Sequence, residues 1–341
     1  MSEITRIAID TSKSVFTLHG VDASGRAVLR RNLRRGDLPG FFEKQAAVEV
    51  VMEACAGSHH WGRLLTKLGH RVRLIPAQYV TPFVKRGKND RNDAEAISVA
   101  AAQPSIGDVA IKPVETQANA MLLSVRELLV RQRTQLVNAL RGHAGELGLV
   151  APQGDKGVAR LEGEIAAAND EDMPTTAKQA LGLLGREIAR IEARLAEIDA
   201  RLAKRHKADP LSQLLATIPG VGPISALNFA CRVDPTQFKS GRHLAAWLGL
   251  VPRERSTGGK QRLGGISRAG DERLRQLLVL GATAVIRQVR PDRPNASAWL
   301  LELLKRRPRK LVAVALANKM ARIVWAMMSS GQTYRPNRVV A

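Results

Sequence analysis

Seven apolar side chains constrain this chain more than any other feature. Leu181, Leu184, Ile188, Ile191, Leu195, Ile198 and Leu202 recur at gaps of three and four residues. That rhythm is the a/d pattern of a coiled-coil seam, and only a long continuous helix can present it on one side. Arg186, Glu187, Arg190, Glu192, Arg194, Glu197 and Arg201 fall between them as a mixed-charge, solvated face. A second stretch, Glu115 to Leu147, carries Leu122, Val125, Leu129, Leu136, Leu140 and Leu147 at helical spacing. The seam can pair within the chain or between chains; dimerisation is the expectation. The expected domains are 1–110, a helical coiled-coil linker 111–208, a mainly α-helical C-terminal domain 209–330, and a basic tail 331–341.

The first hundred residues alternate between strand and helix patterns. Arg6–Ile9 reads as a short apolar strand running into Asp10, Ser14–Val21 as a second strand and Ala27–Leu33 as a third, a meander turning at Ala23-Ser24-Gly25-Arg26. A helix over Gly36–Lys44, a buried strand over Val48–Met52, a helix over Trp61–Leu68, a strand over Val72–Ile75 and a helix over Asp93–Ala102 come next. The order βββαβαβα suits an α/β domain with a mixed sheet and helices on its faces.

The acids of this region fall at telling places. Asp10 ends the first strand, Glu53 ends the fourth, and Asp90 and Asp93 stand three apart where a helix begins, so they share a face. Adjacent strand ends with a helix across them can bring the four carboxylates together. They would repel one another unless they held divalent cations, and hard oxygen ligands select Mg²⁺ or Mn²⁺, two ions in the arrangement used for phosphoryl transfer. Glu53 is the most telling, because an apolar residue would be usual after Val48–Met52. The alternatives are structural: Asp10 could end its strand in a turn, and Asp90 and Asp93 could cap their helix. Lys85, Arg86, Lys88 and Arg91 flank the second pair, as a phosphate-backbone site requires. His59 and His60 are adjacent on a helix and point apart, which fits packing or nucleic-acid contact better than metal ligation. Cys55 and Cys231 give neither a disulfide framework nor a zinc spacing and read as two small buried side chains.

Charge identifies the class of partner. Lys+Arg 53 against Asp+Glu 31 leaves +22, and residues 231–341 alone hold 22 Lys/Arg against 6 Asp/Glu. Such a surface draws polyanions by counterion release. No apolar run of about 18 residues stands out, so the expected place is the cytoplasm and no membrane partner is expected. Aromatic residues are only 4%, which argues against stacking as the main binding mode.

Two C-terminal segments carry chemistry. In Ile218-Pro219-Gly220-Val221-Gly222-Pro223, Gly220 and Gly222 suit a helix-hairpin-helix-like turn that offers backbone N–H groups to a phosphate, or simply a tight turn between helices. Residues 252–271 form a Gly-rich basic loop that is not a P-loop, since Lys260 is followed by Gln261. Ser256 near Arg253, Arg255 and Arg262 could attack a phosphodiester; equally, Ser-Thr-Gly-Gly could be plain flexible loop. Ser267 could help order the turn into the helix at Arg273–Arg287.

"IAIDTSKSVF", "VVMEACAGSHHW" and "GKNDRNDAEAISVA" resemble the RuvC-like (RNase H-like) DEDD domain of a large family of bacterial insertion-sequence transposases. The stretch from "LLATIPGVGPISALNF" to "RLRQLLVLGA" resembles that family's C-terminal transposase domain. The resemblance covers most of 5–105 and 212–290. It implies a DNA recombinase guided by an element-encoded bridge RNA, working as a homo-oligomer (dimer or tetramer) on element ends and target DNA. It makes Asp10, Glu53, Asp90 and Asp93 the metal tetrad and Ser256 a nucleophile that joins covalently to a DNA end. In that family the acidic domain of one subunit is thought to work with the serine domain of another. Ser256 and Ser267 fit its "S…SKxG" pattern, with Arg268 in place of the lysine. Lys260, Arg262, Ser267 and Arg268 then join Arg253 and Arg255 as nucleic-acid contacts. The competing readings are a junction-resolving metal nuclease that uses the acids and water alone, and a non-catalytic nucleic-acid-binding protein.

Overall fold

In a computed structural model, which describes residues 3–85, 90–169, 171, 173–290 and 297–335, the chain forms two units, Met1–Gln117 and Ala118–Ala341. In the first, β1 (Arg6–Asp10), β2 (Val15–Val21) and β3 (Ala27–Arg34) form the expected antiparallel meander. α1 (Leu38–Glu43) leads to β4 (Glu49–Glu53), which pairs parallel with β1. α2 (Ser58–Lys67), β5 (Arg71–Ile75), the short α3 (Ala77–Val80) and α4 (Asp90–Ala101) complete this unit's main elements. The sheet has five strands in the order β3-β2-β1-β4-β5, with β5 parallel to β4.

Period-two alternation gives the sheet two apolar faces. Ile7, Ile9, Phe16, Leu18, Val50 and Met52 pack with Leu38 and Phe42 of α1 and Trp61 and Leu65 of α2. On the other face Ala8, Val51 and Ile75 meet Ala96, Ile97 and Ala100 of α4. Alanines on both sides of that contact let α4 lie close to the strands, which matters for the acids below.

α5 (Val114–Gly145) begins in the last residues of the first unit and lies mostly in the second, where α6 (Asp155–Ala167) and α7 (Thr175–Ala208) follow. α8 (Pro210–Leu215), α9 (Pro223–Arg232) and α10 (Gly241–Trp247) come next, then the hairpin of β6 (Pro252–Glu254) and β7 (Leu263–Ile266). α11 (Glu272–Gln288), α12 (Ala298–Arg306) and α13 (Arg309–Ser330) complete it.

The apolar seam of α7, expected between chains, is filled within this one. Leu181 and Ile188 pack with Leu140 of α5 and with Val158, Leu161 and Ile165 of α6. Ile191, Ile198 and Leu202 pack with Leu123 and Leu129 of α5 and with Leu227 and Cys231 of α9. A partner face tethered on the same chain has a high effective concentration and takes the seam first. α13 also departs from expectation, being long and apolar enough by length and composition to cross a membrane. Lys319 and Arg322 interrupt the run in the sequence and hid it. Its Val312, Ala317, Met320, Ala321 and Val324 are buried in the core of this unit beside Leu244 of α10 and Leu274 and Leu278 of α11.

Candidate active site

β1 and β4 are neighbours running the same way, with Ile9 opposite Met52, so Asp10 and Glu53 emerge side by side at the C-terminal ends of two inner strands. Both lie two residues beyond positions of the α4 face, Ala8 and Val51, and so point under that helix. α4 begins at Asp90, earlier than the sequence pattern suggested, and both Asp90 and Asp93 lie in its first turn. One carboxylate oxygen from each of Asp10, Asp90 and Asp93 lies within 4.8 Å of the others. The positive end of the helix dipole offsets part of the repulsion, but only by a fraction.

Electrostatics separates these acids from an ordinary surface pair. Burial, then the charges of Asp93, Asp90 and Glu53, push the Asp10 carboxyl up to about 6, against a small opposing effect of the Thr11 backbone N–H. Burial and then Asp93 push Glu53 up as well. Glu49, at the far end of β4, is the internal control. Burial raises it too, but Arg6 at 2.5 Å and Arg73 at 3.4 Å outweigh that and hold its carboxyl below the ordinary value. One strand thus carries a glutamate matched to cations and a glutamate matched to other acids.

The ends of the two strands are tied just beyond the acids. Thr11 Oγ1 lies 3.2 Å from Cys55 Sγ, and Ser58 Oγ donates to the Cys55 carbonyl at 2.9 Å. Cys55 is exposed, contrary to expectation, because it sits in the turn after Glu53; Cys231 is buried as expected. His59 takes a packing role, its Nδ1 accepting from the Lys112 N–H at 3.3 Å. Lys85 pairs with Glu95 of α4 at 2.6 Å, and Arg91 is exposed on the first turn of the same helix. Arg86 and Lys88 lie outside the described residues.

In the second unit, what the sequence presented as a Gly-rich loop is the β6–β7 hairpin. Its tip is Thr257-Gly258-Gly259-Lys260, closed by the Lys260 N–H donating to the Thr257 carbonyl at 3.1 Å. Gly258 and Gly259 have φ of +55° and +76°, the pair of positive values a two-residue type I′ turn demands. The Gly-Gly pair was the overlooked signal. Ser256 stands just past the end of β6. Its Oγ donates to Glu254 Oε1 at 2.8 Å and accepts from the Arg262 N–H at 3.2 Å. The Arg255 N–H donates to the Arg262 carbonyl at 2.9 Å. Glu254 is the partner that sequence reasoning missed, since an acid two residues from a serine has no special spacing until the strand is known.

Arg253 is spent on structure, donating from Nε and Nη2 to the Ser267 carbonyl at 3.2 and 3.0 Å. Ser267 does not cap α11, as the sequence reading allowed. Asp271 does, accepting from the Leu274 N–H at 2.9 Å, while Ser267 Oγ faces the Ala269 N–H at 3.5 Å. Arg268 has φ +57°, the one positive value outside glycine among the described residues. Arg275 braces this turn with donations to the Leu248 and Ala269 carbonyls. At the Pro-Gly turn before α9, Gly220 is a packing residue: a Cβ there would meet the Gly281 carbonyl of α11 at 2.7 Å. Gly222 is exposed with open space beside it and remains available to a ligand.

An α/β unit whose strand ends gather carboxylates, in one chain with a strongly basic helical unit, is the make-up of a DNA transposase of the DEDD type. Comparison with known proteins gives the same class and the particular family. Residues 7–147 match the DEDD transposase model of the IS110 group, and residues 212–297 match the model described as Transposase IS116/IS110/IS902 family. The chain is 50% identical to the "Putative transposase y4pF/y4sB" of Sinorhizobium fredii over 98% of its own length and 87% of the relative's. It is 45% identical to a "Probable family 20 transposase" of Pseudomonas aeruginosa over 98% and 99%. It is 38% identical to the "Transposase for insertion sequence element IS1111A" of Coxiella burnetii over 98% and 92%. The chain belongs to the IS116/IS110/IS902 family of insertion-sequence transposases, enzymes that act on DNA.

Proposed function

We propose that this transposase cuts and rejoins DNA by transesterification through Ser256, with the acids Asp10, Glu53, Asp90 and Asp93 holding two Mg²⁺ or Mn²⁺ ions at an RNase H-like (RuvC-like) domain. The observation that supports it best is the convergence of Asp10, Asp90 and Asp93 within 4.8 Å, where burial and then the neighbouring acids raise the Asp10 carboxyl, while Glu49 on the same sheet is matched by two arginines. All the donors are carboxylate oxygens and Asp10 is half-buried, which fits a hard divalent ion. When bound, such ions neutralise charge on the scissile phosphate.

The protein's own groups do the rest. Glu254 accepts the proton of Ser256 as Oγ attacks phosphorus. One P–O ester bond breaks, a phosphoserine diester forms, and the freed DNA hydroxyl takes up a proton. The number of phosphodiester bonds is conserved, so a second DNA end can reverse the step without an external energy source. Arg255, Lys260 and Arg262 of the hairpin and the exposed Arg268 supply positive charge for the DNA. In keeping with the family resemblance, a bridge RNA from the element selects the sites, and the enzyme acts as a homo-oligomer.

The test is Ser256→Ala with DNA carrying the element's ends. Wild type is expected to yield a protein–DNA adduct that survives denaturation and migrates as one band; Ser256→Ala yields none and exchanges no strands. An active Ser256→Ala enzyme overturns the serine mechanism in favour of hydrolysis by the acids and water. RNA sequenced from the purified wild-type protein should match the element's non-coding flank.

A further inference from the structure

On the α4 face of the sheet, beyond the acids, a cavity of about 250 Å³ is lined by Thr17, His19, Arg30, Asn32, Arg91 and Asn92 among others. Strand register places it. Asp10 is opposite Thr17, Thr17 opposite Asn32, and His19 opposite Arg30, so one row runs Asp10–Thr17–Asn32 across β1, β2 and β3. The cavity therefore begins one strand spacing, about 5 Å, from the candidate metal ligand.

Two of its walls are unusual. Thr17 and His19 are 5% and 6% exposed, and neither side chain makes a hydrogen bond among the described residues; their polar atoms are not sealed inside protein and open onto this space. Polar atoms of largely buried residues left facing a cavity find their partner in water or a ligand there. Arg30, directly across from His19, also makes no hydrogen bond or ion pair among the described residues. Glu95 also lines the cavity; Lys85 pairs with it at 2.6 Å and, with smaller contributions from His19 and Arg30, holds its carboxyl below the ordinary value, so its charge is met on the protein side. What is left is hydroxyl, imidazole, amide and guanidinium, a donor-rich set around a space too polar for an apolar guest. An anion with several acceptor oxygens satisfies all of them at once.

We infer that this cavity holds a phosphate of the DNA strand being cut, the one adjoining the phosphate at the acids. The inference rests on the metal-site reading for its neighbour but not for its own chemistry. It assigns Thr17, His19, Arg30 and Asn32 to substrate positioning: they fix the register of the strand so that one phosphate meets the metal ligands. Arg30 belongs to an arginine-rich strand, with Arg26, Arg31, Arg34 and Arg35 around it, that can lead the backbone inward.

The test uses the full chain carrying Glu53→Gln, so that binding is read without cutting. Fluorescein-labelled oligothymidylate and oligouridylate of equal length are titrated by anisotropy with Mg²⁺ present. Arg30→Ala and Thr17→Val are each expected to weaken oligothymidylate roughly tenfold, and Arg30→Ala to lower the log–log salt slope by about one. Arg30 is exposed, so its variant reports even if Thr17→Val fails to fold. Unchanged DNA affinity in Arg30→Ala, or a loss confined to the RNA, overturns the proposal. An enzyme still cutting with Glu53→Gln would instead overturn the metal site and leave the cavity result standing. A single methylphosphonate beside the cut position locates the contact: it should slow otherwise wild-type enzyme and have no added effect in Arg30→Ala. Equal slowing in both variants also overturns the assignment.

Discussion

The acid cluster and the serine hairpin are held in opposite ways. Asp10 and Glu53 project from strands whose Ile9, Met52 and Val51 are wholly buried, so the fold itself forces like charges together. Ser256 stands on a two-stranded hairpin whose strand residues are nearly all exposed, held by a few hydrogen bonds and a glycine turn. The first site stores repulsion that a proton or a bound cation would relieve. The second stores almost none. A change at the first should therefore act on both stability and chemistry, and a change at the second on chemistry alone.

The largest expected effect breaks the first site without changing its shape. Glu53→Gln or Asp93→Asn removes one anionic oxygen and should reduce strand cleavage by about a thousandfold or more, measured as excised product per hour. In metal-free buffer the same Asp93→Asn should raise the melting temperature at neutral pH, because a repulsive partner of Asp10 is gone. Lost activity with unchanged stability would show that the acids do not strain the fold.

Next in size is Glu254→Gln, expected to slow adduct formation by about a hundredfold while leaving DNA affinity and melting temperature unmoved. Glu254→Asp should restore part of the rate. A Glu254→Gln enzyme as fast as wild type would leave the 2.8 Å contact with Ser256 as packing only.

The difference between the sites also explains what could be read from sequence. The order of elements along the chain and the positions of Asp10 and Glu53 were legible because strands buried on both faces read as short continuous apolar runs, Ile7–Ile9 and Val50–Met52, each running into an acid. The start of α4 was misplaced by a few residues, since Asp90-Arg91-Asn92 has no apolar periodicity. Glu254 and the Thr17–His19–Arg30 cavity were invisible for a different reason: the first needs the strand at Pro252–Glu254 to be known and the second needs the cross-strand register, and no local pattern encodes either. The α7 seam was visible as a seam but not its partner, because heptad spacing does not say which chain supplies the second helix.

A smaller, pH-dependent effect comes from Asp10. A carboxyl that binds its proton more tightly when folded adds stability at low pH and loses that contribution as pH rises from 3.8 toward about 6. Glu49, held below its ordinary value, acts the other way and loses its contribution as pH falls. In EDTA, Asp10→Asn should therefore gain stability over wild type between pH 4 and 7, by about 1 kcal/mol once solvent screening is allowed for. Adding Mg²⁺ should favour wild type instead, since the ion binds the ionised acid. An Asp10→Asn difference that does not change between EDTA and Mg²⁺ would count against ion binding there.

The smallest effect belongs to the hairpin tip and is a matter of backbone alone. Gly258 and Gly259 both have positive φ, and neither would bring an added Cβ within 4 Å of anything. Space is therefore not the constraint; handedness is. Asparagine tolerates the left-handed region and favours the first central position of a type I′ turn, whereas valine does not. Gly258→Asn should keep the adduct rate within about twofold of wild type, whereas Gly258→Val should open the tip at a local cost of about 1 kcal/mol and slow adduct formation several-fold. Neither should shift the melting temperature, because no core residue touches the turn. If Gly258→Val lowered the melting temperature as much as the rate, the hairpin would be part of the fold's support, and the contrast with the acid cluster would be lost.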